Sequence, residues 1–285
     1  EQFNNQAVRD WMQGLGFESF VGSSGRVFPT DMKAAPLLRA WLHRLRESGI
    51  KICVRHRWLG WTNESKLKFA TPEGVQHIAA DAVILACGGG SWPQLGSDGA
   101  WQSVLQAQGI SVKPLQAANC GFDSQWSSNF SQEFAGQPIK SAVLAFTDAQ
   151  GNAYRKQGDF VITATGIEGS LIYALSRPLR ETLNQNGKVT VYLDLFPHKT
   201  VEQLYTLLSK PRDASLSWSS FVRKQLGIQG VKAALLRECT TKQQMQDAQQ
   251  LASLLKALPI TLTQTRPIAE AISSAGGVEW SALTA

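Results

Sequence analysis

Ala80 to Trp101, ADAVILACGGGSWPQLGSDGAW, is the stretch from which the rest of the chain is read. A continuous apolar run from Ala82 to Cys87 empties into Gly88, Gly89 and Gly90, and after a short loop Asp98 opens a helix. A run without polar alternation is the pattern of a strand buried on both faces, as in a parallel sheet with helices on each side. Glycines at the carboxyl end of such a strand let the backbone approach a ligand or take a positive φ. Open α/β sheets bind ligands beyond those strand ends, so the segment points to a nucleotide or cofactor. A tight structural turn is the competing explanation.

The 285 residues suggest one large or two ordinary domains, and 43% hydrophobic with 18% charged residues describes a globular chain with ample core. No apolar run approaches the roughly 20 residues of a membrane span, and no signal peptide is seen. Cys53, Cys87, Cys120 and Cys239 lie far apart with no CxxC pair, which favours a reducing cytoplasm over a disulfide framework or a zinc site. The chain opens at Glu1 without Met, inside a helix, and closes at Ala285 soon after a glycine pair, so both ends read as cut. The formal charge of +6 and pI near 9.2 raise nucleic-acid binding. Helix geometry counters it: Leu37, Leu38, Trp41, Leu42 and Leu45 fall within an arc of about 140°, and Arg39, His43, Arg44 and Arg46 are assigned to the other side. This is an amphipathic helix with a solvated basic face and Trp41 in the core, and no nucleic-acid module accompanies it.

The first 115 residues read as α/β. A helix over Ala7–Leu15 stops at Gly16, and the loop Gly22-Ser23-Ser24-Gly25-Arg26-Val27-Phe28-Pro29 leads to the amphipathic helix, closed by Gly49. A strand over Ile50–Arg57 follows, then a meander with its turn at Pro72-Glu73-Gly74, the apolar strand, and a helix capped by Asp98 and ended by Gly109. From Pro114 to Pro138 the composition has the character of an inter-domain passage. Beyond it Ile139–Thr147 and Asp159–Thr165 read as strands, Asn186-Gly187 as a turn, and Val189, Val191, Leu193 and Leu195 as the inward face of an antiparallel strand. Helices are expected over Val201–Ser209, Trp218–Leu226, Val231–Arg237 and Gln243–Leu258, before a last segment of α/β character.

No GxSxG elbow, P-loop or metal-ligand spacing occurs, and His43, His56, His77 and His198 share no motif with a nucleophile. Gly14-Leu15-Gly16 begins like GxGxxG, but Ser19 stands at the third glycine and the segment ends a helix rather than following a strand.

Several motifs together resemble the bacterial BaiN-like family of NAD(P)/FAD-dependent oxidoreductases, in its branch of uncharacterised flavoproteins. They are Gly25-Arg26-Val27-Phe28-Pro29 with Lys33-Ala34, Ala80 to Gly90 with Ser91 and Pro93, Gly158 to Ser170, and Ala275-Gly276-Gly277-Val278. The resemblance implies a two-dinucleotide-type, Rossmann-like FAD domain carrying an inserted β-barrel and helical domain. The expected division is a partial FAD domain over residues 1–115, the insert over 116–260 and a return to the FAD domain over 261–285. In that family the strand with GxGxxG and the ribose-binding acidic residue comes earlier, and the glycine-rich flavin and pyrophosphate segment comes later, than Glu1 to Ala285. Residues 1–285 are thus expected to be the middle of a flavoprotein, and alone to hold FAD weakly or not at all.

Carried over residue by residue, the resemblance makes Ala86, Cys87, Gly88 and Gly89, continued by Gly90 and Ser91, the FAD-facing turn, because a side chain there would collide with the cofactor. Gly276 and Gly277 resemble a second approach to the flavin, with a helix C-cap as the structural alternative. Arg26, Lys33 and Asp98 are candidates for the substrate or an anionic cofactor group, with pairing of Arg26 to a loop carboxylate as the alternative. Thr163 to Ser170 is read as structure. The implied activity is hydride transfer through flavin, with NAD(P)H as a possible reductant, no assigned catalytic acid or base and no membrane or nucleic-acid partner. A non-enzymatic flavin or nucleotide sensor and a basic nucleic-acid binder are the alternatives.

Overall fold

A computed structural model describes residues 3–22 and 25–283. Ser23 and Ser24 of the expected loop, Glu1 and Ala285 lie outside the described residues. The chain divides into two units, residues 1–81 and 82–285.

The first unit comprises α1 (Asn5–Gly14), β1 (Ser19–Val21), β2 (Val27–Pro29), α2 (Ala34–Glu47), β3 (Arg57–Trp61), β4 (Leu67–Thr71) and β5 (Gly74–Ile78). The Asn4 side chain accepts the Ala7 N–H to cap α1, and Gly16 leaves the helix at φ +86°, so Gly14-Leu15-Gly16 is a helix stop. β1 and β2 form an antiparallel hairpin, and β3-β4-β5 form the expected meander with Gly74 at φ +112° after its turn. Two expectations fail here. Ile50 to Arg57 is not a strand: pairing starts only at Arg57, and Ile50, Ile52 and Val54 are exposed. Trp41 is not a core residue; it meets Trp11 edge-on at 5.4 Å and stays 42% exposed, and α2 has no buried residue.

The second unit holds α3 (Trp101–Ala107), β6 (Val112–Ala117), β7 (Phe122–Ser124), α4 (Ser128–Phe134), β8 (Pro138–Thr147), β9 (Ala153–Ile162), β10 (Gly166–Glu168), α5 (Ser170–Tyr173), α6 (Ser176–Asn186) and β11 (Val189–Asp194). It continues with α7 (Val201–Leu208), α8 (Trp218–Leu226), α9 (Gly230–Glu238), α10 (Lys242–Gln246), α11 (Ala248–Lys256), β12 (Leu258–Thr265) and β13 (Ser274–Val278). Six strands close an antiparallel barrel in the order β10-β7-β12-β11-β8-β9, which leaves those strands no free edge. Phe122, Ile139, Leu144, Ile162, Val191, Leu193, Leu258 and Leu262 are buried. In β11 the alternation is as expected: Val189, Val191 and Leu193 are buried while Tyr192 is 47% exposed. Helices α6 and α11 pack on β11 and β12, α5 on β9 and β10, and α9 on β8.

Three features of this unit correct the sequence expectations. Residues 114–138 are not a plain passage, since they supply the barrel strand β7 and helix α4, whose Phe122, Phe130 and Phe134 are buried. The helix expected over Gln243–Leu258 breaks at Asp247, whose side chain caps α11 by accepting the Gln250 N–H at 2.8 Å. Asn186-Gly187, by contrast, turns the chain as expected, between α6 and β11, with Gly187 at φ +73°. Most directly, Ala82 to Cys87 forms no strand: it makes no ladder with any described segment, and Ile84 is 92% exposed. All strand pairings among the described residues are antiparallel, so the parallel sheet expected around this run is not formed. An apolar run implies burial only where strands stand on both sides of it.

Candidate functional site

Outside the barrel, β6 and β13 form a two-stranded antiparallel ladder. Pairing runs from Ser274 opposite Ala117 to Val278 opposite Val112, with a register shift between Ala275 and Gly277. Gly276 occupies that bulge at φ +93°, where a Cβ would lie 2.3 Å from the Pro114 carbonyl oxygen, so only glycine fits. Gly276 and Gly277 are therefore strand residues, and the helix C-cap alternative fails.

The glycine turn after Cys87 rests against this ladder. The Gly90 N–H donates to Ser274 Oγ at 2.9 Å, and the buried Ser91 hydroxyl lies 2.9 Å from the same oxygen. The Trp101 indole N–H donates to the Gly88 carbonyl at 3.0 Å. A Cβ on Gly89 would lie 2.5 Å from Ser274 Oγ, one on Gly90 3.1 Å from Ile268, and Gly88 stands at φ +74°. Protein atoms thus already leave no room for a side chain at 89 and 276 and crowd one at 90.

Together these segments wall a cleft of about 380 Å³ lined by Gly88, Gly89, Ser91, Trp92, Ser97, Trp101, Leu115, Ile272, Ser273, Ser274 and Gly276. That volume is at the small end of ligand clefts, which run from about 300 to 1,000 Å³. The structure brings Gly88, Gly89, Ser91 and Gly276 to one cleft, although 185 positions separate Ser91 from Gly276 (276 − 91). Gly90 and Gly277 sit beside it, in the turn and in β13, whereas Ala86 and Cys87 precede it in the exposed run. Local desolvation pushes the thiol of the exposed Cys87 above its ordinary pKa, so it stays protonated at neutral pH. Asp98 does not cap α3 directly. Its carboxylate accepts the Ala100 N–H at 3.0 Å, closing a turn before the helix. Arg26 and Lys33 are exposed residues of the first unit, just before β2 and at the N-cap of α2. No described carboxylate forms an ion pair with Arg26, so its alternative as a structural pair is not realised. Thr163 to Ser170 runs from the turn after β9 through β10 into α5: a Cβ on Gly166 would lie 1.9 Å from the Phe122 oxygen, and Gly169 turns at φ +103° into α5.

Sequence reasoning missed Trp92, Trp101, Ser273 and Ser274. The available signal was the serine pair directly before Ala275-Gly276, on the segment paired with β6. The lining residues carry no formal charge; they offer four hydroxyls and two indoles. This donor set fits the planar, polar-edged ring of a flavin and lacks the cations or amide nest that hold a pyrophosphate. No group of three or more His, Cys, Asp or Glu among the described residues could hold a metal, and no helix among them is long and apolar enough to cross a membrane.

Two comparisons with known proteins bear on the chain. The family model described as the HI0933-like protein barrel and H2TH domain matches residues 116–273, more than half of the chain. The 3-dehydro-bile acid delta(4,6)-reductase of Clostridium scindens is 27% identical over 205 residues, covering 72% of this chain and 49% of the relative. The chain thus spans about half the length of that curated relative. With its closed barrel and the helices around it, the chain belongs to the HI0933-like, BaiN-like family of flavoprotein oxidoreductases.

Proposed function

We propose that these residues form the central portion of an FAD-dependent oxidoreductase and that the cleft between the glycine turn and β13 is one wall of its flavin site. The observation that carries the reading is the convergence of Gly88, Gly89, Ser91 and Gly276 on one uncharged cleft. Bound FAD would supply a two-electron centre that passes a hydride between a nicotinamide and an organic substrate. The chain's own part is to hold and orient. Trp92 and Trp101 offer aromatic faces, and the Ser91 and Ser97 hydroxyls offer hydrogen bonds to a ring edge. The relative's name, a reductase of a 3-dehydro-bile acid, supports reduction of an organic substrate and leaves this chain's substrate open.

The same reading gives Ala82 to Cys87 a role. Its unpaired backbone and exposed apolar side chains suit a central strand of a parallel sheet in a longer protein, and the relative is about twice as long as the matched segment. The division into a flavin domain and an inserted barrel belongs to this proposal, as do Arg26 and Lys33 as contacts for an anionic group and a cytoplasmic location. Residues 1–285 alone are proposed to hold FAD weakly, because the cleft is small and carries no cationic side chain for the pyrophosphate. The test is to purify the product of the complete reading frame that contains these residues, and residues 1–285 separately. The reading expects stoichiometric FAD and NAD(P)H oxidation from the first and little flavin from the second. A flavin-free complete protein that FAD does not bind would overturn it.

A further inference from the structure

Ser273 and Ser274 are adjacent but bond in opposite directions, as successive residues of an extended strand do. Ser273 faces the barrel side: its hydroxyl donates to Asn119 Oδ1 at 2.5 Å, and the Asn119 amide donates to the Tyr173 carbonyl at the end of α5 at 2.9 Å. Ser274 faces the glycine turn, where its Oγ accepts the Gly90 N–H and shares a hydrogen bond with Ser91. A run of three glycines has more backbone freedom to lose than any other tripeptide, so its shape must be imposed from outside. Two side chains impose it. Trp101 holds the Gly88 carbonyl, and Ser274 holds Gly90 and Ser91 while leaving no room for a side chain on Gly89.

We propose that Ser274 is the positioning residue of the cofactor turn: it clamps residues 89–91 onto the β6–β13 ladder, so that the turn is shaped before flavin arrives. The proposal rests on the flavin reading for its functional meaning, while the clamp can be measured without flavin. Pre-organisation of this kind raises affinity by removing an ordering cost from the binding step.

The experiment has a flavin-free arm and a flavin arm. In residues 1–285 without flavin, Ser274→Ala is expected to speed amide hydrogen exchange in the peptide covering residues 88–91, whereas Ser273→Ala leaves that peptide unchanged. Gly89→Ala is expected to disturb the peptide in the natural chain and add little in the Ser274→Gly background, because the Oγ and Cβ that its methyl would meet at 2.5 and 2.8 Å are then gone. In the complete protein, Ser274→Ala is expected to weaken FAD binding about tenfold, the size of a lost hydrogen bond to an ordered group. Unchanged exchange in Ser274→Ala, or a full Gly89→Ala effect in the Ser274→Gly background, would overturn the clamp. Faster exchange with unaltered FAD affinity would overturn the positioning role and leave the flavin reading standing. A complete protein that binds no FAD would remove the flavin reading, while the exchange arm still decides the clamp.

Discussion

The Ser274 hydroxyl accepts the Gly90 amide N–H at 2.9 Å, joining positions 184 residues apart. Between them lie β7 to β12, all six barrel strands. Closing so long a loop is costly in chain entropy unless the intervening segment is already folded. By bringing the end of β6 and the start of β13 together, the barrel therefore also places Ser274 against the glycine turn. Five further predictions test this fold and its site.

Gly166→Ala is expected to destabilise the barrel by about 3 kcal/mol, because the new methyl would meet the Phe122 oxygen at 1.9 Å and the Asp123 Cα at 2.8 Å. Both atoms are backbone of the paired strand β7, so relief requires β7 and β10 to separate. Denaturant unfolding measures it, and a loss below about 1 kcal/mol would contradict the close approach.

Asp194 is a nearly buried carboxylate, 2.6 Å from Lys256 Nζ, and it accepts the Phe196 N–H at 2.9 Å. Among the described residues, Asp194→Ala leaves the lysine with the Phe196 carbonyl as its hydrogen-bond partner and no carboxylate. The expected cost is about 3 kcal/mol, the range for breaking rather than replacing a buried pair. Thermal unfolding of Asp194→Ala beside the Asp194→Ala/Lys256→Met double variant separates the two cases, since the double variant should recover part of the loss.

Burial, helped by the charge of Glu238, pushes the Cys239 thiol up to about 12 from an ordinary 9.0. A group whose folded pKa is raised contributes stability that is fully present below its unfolded pKa and is lost as pH rises toward the folded one. Stability is therefore expected to fall between about pH 9 and 12 from this group, and Cys239→Ser should flatten that part of the profile. Thiol titration gives an independent reading: exposed Cys53 should react quickly in the native protein and Cys87, held protonated by its raised pKa, more slowly, with Cys120 and Cys239 reacting mainly on unfolding.

Much of this architecture was legible because short-range patterns dictate it. Pro72-Glu73-Gly74 marked the β4–β5 turn, the alternation from Val189 to Leu193 marked β11, and the α8 boundaries followed from its apolar spacing. The failures are places where a distant partner decides. Phe122–Ser124 is too short to show a period, and it is a strand because β10 and β12 flank it. Ala82 to Cys87 has a buried strand's composition without a described strand beside it. The glycines of the site were legible, but the Ser274 side chain that holds Gly90 was not, because a hydrogen bond across 184 residues leaves no spacing to read; Trp101, only 13 residues from Gly88, reads as an apolar position of its helix.

Asp247 illustrates a signal that was present and misread. Its side chain accepts the Gln250 N–H and starts a new helix inside an apparently continuous apolar period. Asp247→Ala should cost about 1 kcal/mol and Asp247→Asn much less, as expected for an N-cap. Equal losses for the two, measured by chemical denaturation, would contradict a capping role.

The central claim is that the cleft walled by Gly88, Ser91, Trp101, Ser274 and Gly276 belongs to a flavin site. The most direct measurement is FAD titration into the complete protein, followed by tryptophan fluorescence with Trp101→Phe as the control for the indole in the cleft. The account predicts quenching that saturates at one FAD per chain and is clearly reduced in Trp101→Phe. Saturable FAD binding whose quenching is the same in Trp101→Phe would place the flavin elsewhere, and an absence of FAD binding would contradict the account altogether.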